Sequence, residues 1–276
     1  MTPPQTYLAP RAPETAHVPR RRAPVTLAVG GVLAVALVIS AAWGGLATLG
    51  ARRATVSAAA SGVPHAITIK ADSADVDVVT GDVDRPTFTY RLPWPIADDA
   101  FRQTMSGTML TAELRTRTSP MRFPWSTGAT LLVTVPASSV ESLLITTETG
   151  SIDVSVDAVT EVLSTGTGSI GVSGHLIALT AETGTGSVDV WAQDAQTVTA
   201  STSTGSLTVH LTGTPPTVVA AETGTGSILV EVPAGRYAVD AESGTGSVAD
   251  GLTRDDTSTL VVKASTGTGS IALRHS

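Results

Sequence analysis

The chain has no cysteine and no asparagine among its 276 residues. Without cysteine there are no disulfides, no thiolate metal sites and no thioether-linked lipid anchor. Without asparagine there are no N-glycosylation sequons and no asparagine ladders. Lysine is almost missing: Lys70 and Lys263 stand against fifteen arginines. With abundant Ala, Gly, Val and Thr, this composition suggests a GC-rich bacterial genome. The net charge is −7, but it is unevenly placed. Residues 1–24 carry Arg11, Arg20, Arg21 and Arg22 against Glu14 alone, and Arg52 and Arg53 follow later. A basic stub on an acidic body argues against nucleic acid as a partner.

Charge is missing altogether between Val25 and Leu49, a 25-residue run reading VTLAVGGVLAVALVISAAWGGLATL. As a helix it would reach about 37 Å, enough to cross a bilayer with some tilt. The spacing predicts a single transmembrane helix over residues 25–49, which makes the lipid bilayer a partner. Residues 1–24, rich in Pro, Arg and Ala, read as a disordered basic tail, and residues 50–65 as a linker. Four arginines before the run and two after it favour a cytoplasmic N-terminus and an extracytoplasmic C-terminal domain at the bacterial plasma membrane. The rival reading is a signal peptide cleaved near Ala58-Ala59-Ala60. It fits less well, because the preceding tail is long and Arg52 and Arg53 separate the run from that site.

The C-terminal half is a repeat. Thr-Gly-Ser occurs seven times, centred on Gly150, Gly168, Gly186, Gly205, Gly226, Gly246 and Gly269, at steps of 18, 18, 19, 21, 20 and 23 residues. An aliphatic residue follows each copy at once (Ile152, Ile170, Val188, Leu207, Ile228, Val248, Ile271), and in six of the seven another comes two positions later. That alternation marks strands with one buried face. Each unit reads as strand, glycine turn, strand and return loop, and no unit can bury its apolar face alone. Stacking at about 4.8 Å joins the faces into one interior. The expected fold is therefore all-β, a β-solenoid or β-helix-like stack of 18–23-residue repeats behind one transmembrane helix. The seven glycines are its structural turns. Residues 66–276 form the outside domain, irregular over 66–140 and regular over 141–276.

Within residues 66–140, strands are expected at Ile67–Lys70, Asp75–Val79, Thr87–Tyr90, Met109–Leu114 and Thr130–Val135. Arg91-Leu92-Pro93-Trp94 recurs as Arg122-Phe123-Pro124-Trp125. Trp94 and Trp125 either cover the apolar end of the stack, as solenoid caps do, or stack on sugar rings or a partner. No cap is visible at the C-terminus, so the last strand, Ser270 to Arg274, is expected as an edge open to self-association.

The stretch LLVTVPASSVESLLITTETGSIDVSV from Leu131, followed by blocks such as LTAETGTGSVDV, resembles the bacterial putative-adhesin family with β-strand repeats. The resemblance spans roughly Ile67 to Leu273. It implies an envelope protein of unknown biochemical function, often with an N-terminal membrane helix, and it supplies no catalytic residues.

Chemistry is thinly signalled. A phosphate loop needs a helix after its glycines, and strands follow here. A calcium β-roll needs a regular aspartate column, and only Asp153 and Asp189 sit on the relevant side of the turn. The histidines (His17, His65, His175, His210, His275) are scattered in sequence. Glu182, Glu222 and Glu242 share one repeat position, with Ser201 between the first two. They read as a solvated stripe rather than a cation site. No cofactor, metal or catalytic residue is expected. The preferred function is a non-enzymatic, membrane-anchored envelope protein, a binding or structural module whose partner is an envelope protein or wall polymer. The alternatives are an accessory or sensor of envelope stress and, behind it, a carbohydrate-active β-helix enzyme with grouped carboxylates.

Overall fold

The computed structural model describes residues 52–57 by their backbone, and residues 64–92, 100–115, 128–137 and 140–276. The 25–49 run, Trp94 and Trp125 lie outside these residues. Among the described residues the chain is all-β, and no helix is long and apolar enough to cross a membrane.

The chain opens with β1 (Arg52–Ser57), β2 (Ala66–Gly81), β3 (Thr87–Leu92), β4 (Phe101–Ser106), β5 (Met109–Leu114) and β6 (Ala129–Pro136). The long β2 bends once. Its first half pairs in parallel with β5 and its second half with β6, so β2 forms one layer and β5–β6 another. Three antiparallel strands finish this end: β4 on β5, β3 on β6 and β1 on β3. The β1 segment falls in the stretch expected as a linker. Thr55 and Val56 give it enough β-character to pair once β3 presents an edge. Phe88, fully buried, meets Phe101 at 5.4 Å between ring centres, and Tyr90 stacks on Phe101 at 5.0 Å. These three rings close the apolar interior here.

The regular part follows as β7 (Val140–Thr149), β8 (Ile152–Ser155), β9 (Ala158–Thr167), β10 (Ile170–Thr185), β11 (Val188–Gln193), β12 (Thr197–Thr204), β13 (Leu207–Thr212), β14 (Val218–Thr225) and β15 (Ile228–Val232). One sheet stacks β7, β9, the second half of β10, β12 and β14. The other stacks β8, the first half of β10, β11, β13 and β15. All of these neighbours are parallel. The β7–β8 layer lies on β2, so β2 is sandwiched between layers that follow it in the chain. Like residues stack on like: Val76, Ile152, Ile170, Val188, Leu207 and Ile228 form one buried column between the sheets. Such aliphatic columns supply the main stabilisation, at roughly 25 cal/mol per Å² buried.

The chain ends with β16 (Arg236–Thr245), β17 (Val248–Asp250), β18 (Thr253–Arg254), β19 (Val261–Thr268) and β20 (Ile271–His275). Here the order of layers departs from the order of sequence. The last repeat, β19–β20, lies on β14–β15, and the sixth, β16–β17, lies outside it. The chain therefore lays down the outer layer first and returns to fill the gap. The 23-residue step before the last repeat is the longest and supplies the reach. This corrects the expectation for the C-terminus: within the stretch Ser270 to Arg274, Ile271 to Leu273 are interior, paired with β15 on one side and β17 on the other. At this end of the stack, β16 from Ala238 onward and β17 present an open edge, each pairing on one side only. Val248, in the core column by register, is 42% exposed for that reason.

Among the described residues, one ionisable carboxyl is buried within an aliphatic column. Glu161 sits between Leu143 and Leu179 in register, is 0% exposed, and has no hydrogen-bond partner for either carboxyl oxygen. Burial pushes its pKa up to about 8, so at neutral pH it is mostly the uncharged acid.

Candidate functional sites on the stack

The seven predicted turn glycines form one column, in the spatial order 150, 168, 186, 205, 226, 269, 246. Each has φ between +136° and +149°. A Cβ at Gly186 would also lie 2.0 Å from the Gly168 carbonyl oxygen. Two separate constraints, backbone angle and layer spacing, thus demand glycine here.

A second column was not singled out in the sequence. Two residues before each Thr of the motif stands an inward hydroxyl residue, and its hydroxyl donates to the corner carbonyl of the neighbouring layer. Thr165 Oγ1 donates to Gly150 O at 2.8 Å, Thr183 to Gly168 at 2.8 Å and Thr202 to Gly186 at 3.0 Å. Thr223, Thr266 and Ser243 continue the ladder onto Gly205, Gly226 and Gly269. These hydroxyls are buried or half-buried, and bonding them to the corner removes an otherwise costly orphan carbonyl. The signal was present in sequence as the extended pattern Thr-x-Thr-Gly-Ser. The motif serines make a third, exposed ladder: the Ser187 amide donates to Ser169 Oγ at 3.2 Å, and the Ser169 amide to Ser151 Oγ at 3.3 Å. Asp75 ends that ladder by accepting the Ser151 amide at 2.9 Å.

Beside this edge runs an open groove of about 540 Å³ lined by Ser164, Glu182, Ser201, Glu222 and Ser265. The exchange of the last two layers explains its pattern. In register the column reads Glu182, Ser201, Glu222, Ser265, Glu242. Stacked in chain order, Glu222 and Glu242 would be neighbours. The exchange inserts Ser265 and sets the carboxylates about 9.6 Å apart, two layers. Like charges directly opposite each other are destabilising. On the other sheet's outer face, Asp77 and Asp153 are register neighbours. Both pKa values are raised, first by burial and then by nearby carboxylates, Asp75 among them. Among the described residues, no three acidic or histidine side chains converge as a metal site.

The opposite edge carries different chemistry. Trp191 is 56% exposed on the outer face of β11. Its column reads Ser155, Ser173, Trp191, His210, Glu231, Arg274. The indole lies 4.6 Å from the His210 ring, tilted by 41°. His210 Nδ1 donates to the Glu231 carboxylate, which Arg274 also contacts. The hydrogen bond from His210, and then the one from Arg274, hold Glu231 below the usual carboxylate range. His175, one layer back, lies 3.3 Å from Asp194. The Thr214 amide (2.8 Å) and hydroxyl (2.9 Å) fix Asp194 at a φ of +57° and lower its pKa. Around the indole is an open groove of about 640 Å³ that includes Asp157, His175, Gln193 and Thr212. The sequence reading did not single out Trp191. The available signal was its parity: it shares the outward face with Asp189, while Val190 and Ala192 point inward.

A family model described as Toastrack DUF4097 matches residues 65–275. The chain belongs to this family. Among curated proteins none matches it. Solved structures similar to the Toastrack stack include one described as a putative cell adhesion protein from Clostridium sporogenes. It is 9% identical, with a TM-score of 0.37, covering 82% of this chain and all of that one. A protein described as a putative adhesin from Bacteroides fragilis is 13% identical, with a TM-score of 0.42, covering 82% and 97%. Another described as a putative lipid binding protein, from Parabacteroides distasonis, is 13% identical, with a TM-score of 0.29, covering 81% and 96%.

Proposed function

We propose that this Toastrack protein is a non-enzymatic, membrane-anchored envelope protein of adhesin type, whose stack is a binding or structural module held outside the plasma membrane. The observation that carries the reading is the charge-free run Val25–Leu49, flanked by arginines and followed by a stack built to be rigid. The repeating hydroxyls and glycines are engaged in holding layers together, which leaves recognition to the variable side chains on the outer faces. Partners of this reading are an envelope protein or a wall polymer. Self-association uses the open edge of β16 and β17, where backbone groups face outward.

The test is protease shaving of intact cells carrying a C-terminal tag, with carbonate extraction of membranes. The expected result is a tag that stays with the membrane pellet and is cleaved from outside. A tag in the soluble fraction, or one protected in intact cells, contradicts the reading.

A further inference from the structure

Several aliphatic side chains, Leu132, Leu144, Val162 and Ile177 among them, are partly exposed on the outer faces. Trp191, at 56%, is the most exposed large apolar residue among the described residues and the one aromatic of that set, and its setting is more than an unburied aromatic. It stands on a strand paired on both sides, so its backbone is fixed. On one side the tilted His210 ring supports the indole. On the other, the same column offers only Ser173, whose hydroxyl lies 2.9 Å from that of Ser155. Small residues there leave that side of the indole uncrowded and the groove open.

The polar groups around the indole suit a hydroxyl-rich ligand. With Nδ1 turned to Glu231, His210 leaves Nε2 to hydrogen-bond a ligand hydroxyl. Gln193 and Thr212, exposed on the same outward face, carry donors and acceptors together. The charge pattern narrows the ligand class. Asp157 lines the groove, Asp189 shares the outward face of β11, and Asp194 and Glu231 pair with the groove residues His175 and His210, while Arg274, further along the Trp191 column, is already paired with Glu231. An anionic polymer would meet repulsion, and a single aromatic ring makes no cage for a quaternary ammonium group. A neutral sugar has an apolar ring face for the indole and hydroxyls for the rim.

We propose that the Trp191 groove is a binding site for an uncharged glycan, with one sugar ring stacked on the indole and its hydroxyls bonded to His210, Gln193 and Thr212. The proposal rests on the binding-module reading and gives it a site.

The test uses the full chain in a detergent without a sugar headgroup, titrated calorimetrically with maltohexaose, cellohexaose, laminarihexaose and chitohexaose. At least one should bind the wild-type chain. Trp191→Ala should weaken that binding by at least about tenfold, while Trp191→Phe keeps part of it. Gln193→Ala, at an exposed position, provides a second variant should Trp191→Ala fail to fold, and should also weaken binding. Absence of binding by all four sugars, or wild-type affinity in either alanine variant that folds, overturns the proposal. Capture of an envelope partner by a chain that binds no sugar would sink this site alone and leave the module reading standing.

Discussion

At the Thr-Gly-Ser edge each layer repeats its neighbour, while at the edge around Trp191 neighbouring layers share little beyond strand direction. The first edge brings backbone against backbone at layer spacing. Glycine is required at the corner, a hydroxyl must meet the corner carbonyl, and the same solution recurs from Gly150 to Gly269. At the second edge side chains face solvent. One column there can hold Ser173, Trp191, His210, Glu231 and Arg274 without disturbing the stack. Repetition marks what holds the layers together, and departure from repetition marks where recognition can reside.

The comparison breaks most sharply at a corner glycine. Gly186→Val places a β-branched residue at φ +144° and a Cβ against the Gly168 carbonyl. It should cost more than about 4 kcal/mol, read by denaturant unfolding. A melting curve like the wild type would show that the corner tolerates side chains.

Glu161 is the next largest effect and has the opposite sign. Its pKa in the folded chain, about 8, lies above the ordinary value of 4.5 that applies when unfolded. Its contribution is most favourable below pH 4.5 and is lost as pH rises through about 8, at roughly 1.4 kcal/mol per pH unit at most. Glu161→Leu, flanked by Leu143 and Leu179, should stabilise the chain at pH 8 by on the order of a few kcal/mol and flatten this slope. Equal pH dependence in both proteins would show that the carboxyl finds a partner.

Thr183→Val removes the hydroxyl donated to Gly168 while keeping the shape, and should cost about 1–2 kcal/mol in the same assay. Trp191→Ala should be the mildest, within about 0.5 kcal/mol, because the indole is largely solvated. A large loss there would recast Trp191 as packing and blur the contrast between the edges.

The repeat was legible because its cause is local. The glycine spacing, the alternation from Ile152 to Val154 and the Thr-Gly-Ser corners all follow from one backbone geometry applied layer after layer. The exchange of the last two layers was not legible. The strands Val248–Asp250 and Ile271–His275 begin alike but differ at the second inward position, Asp250 against Leu273, and a carboxylate there suits an outermost layer better than an interior one. That difference and the Ser265 insertion between Glu222 and Glu242 are clues that take on meaning only after the stack is known. The Phe88, Tyr90 and Phe101 cluster was hidden for a related reason. The antiparallel strand Phe101–Ser106 has a weak pattern, and its place depends on pairing with β5. Trp191 was readable by parity, but parity does not distinguish a recognition residue from an ordinary exposed side chain.

Oxidative cross-linking tests the stacked-corner account most directly, and a chain without cysteine makes it clean. The Ser ladder points outward, and neighbouring layers at about 4.8 Å are within disulfide reach. Paired cysteines at Ser227 and Ser270, and at Ser247 and Ser270, should cross-link readily, while a pair at Ser227 and Ser247, two layers apart, should not. Efficient cross-linking of Ser227→Cys with Ser247→Cys, or failure of both other pairs, would contradict the column order on which the account stands.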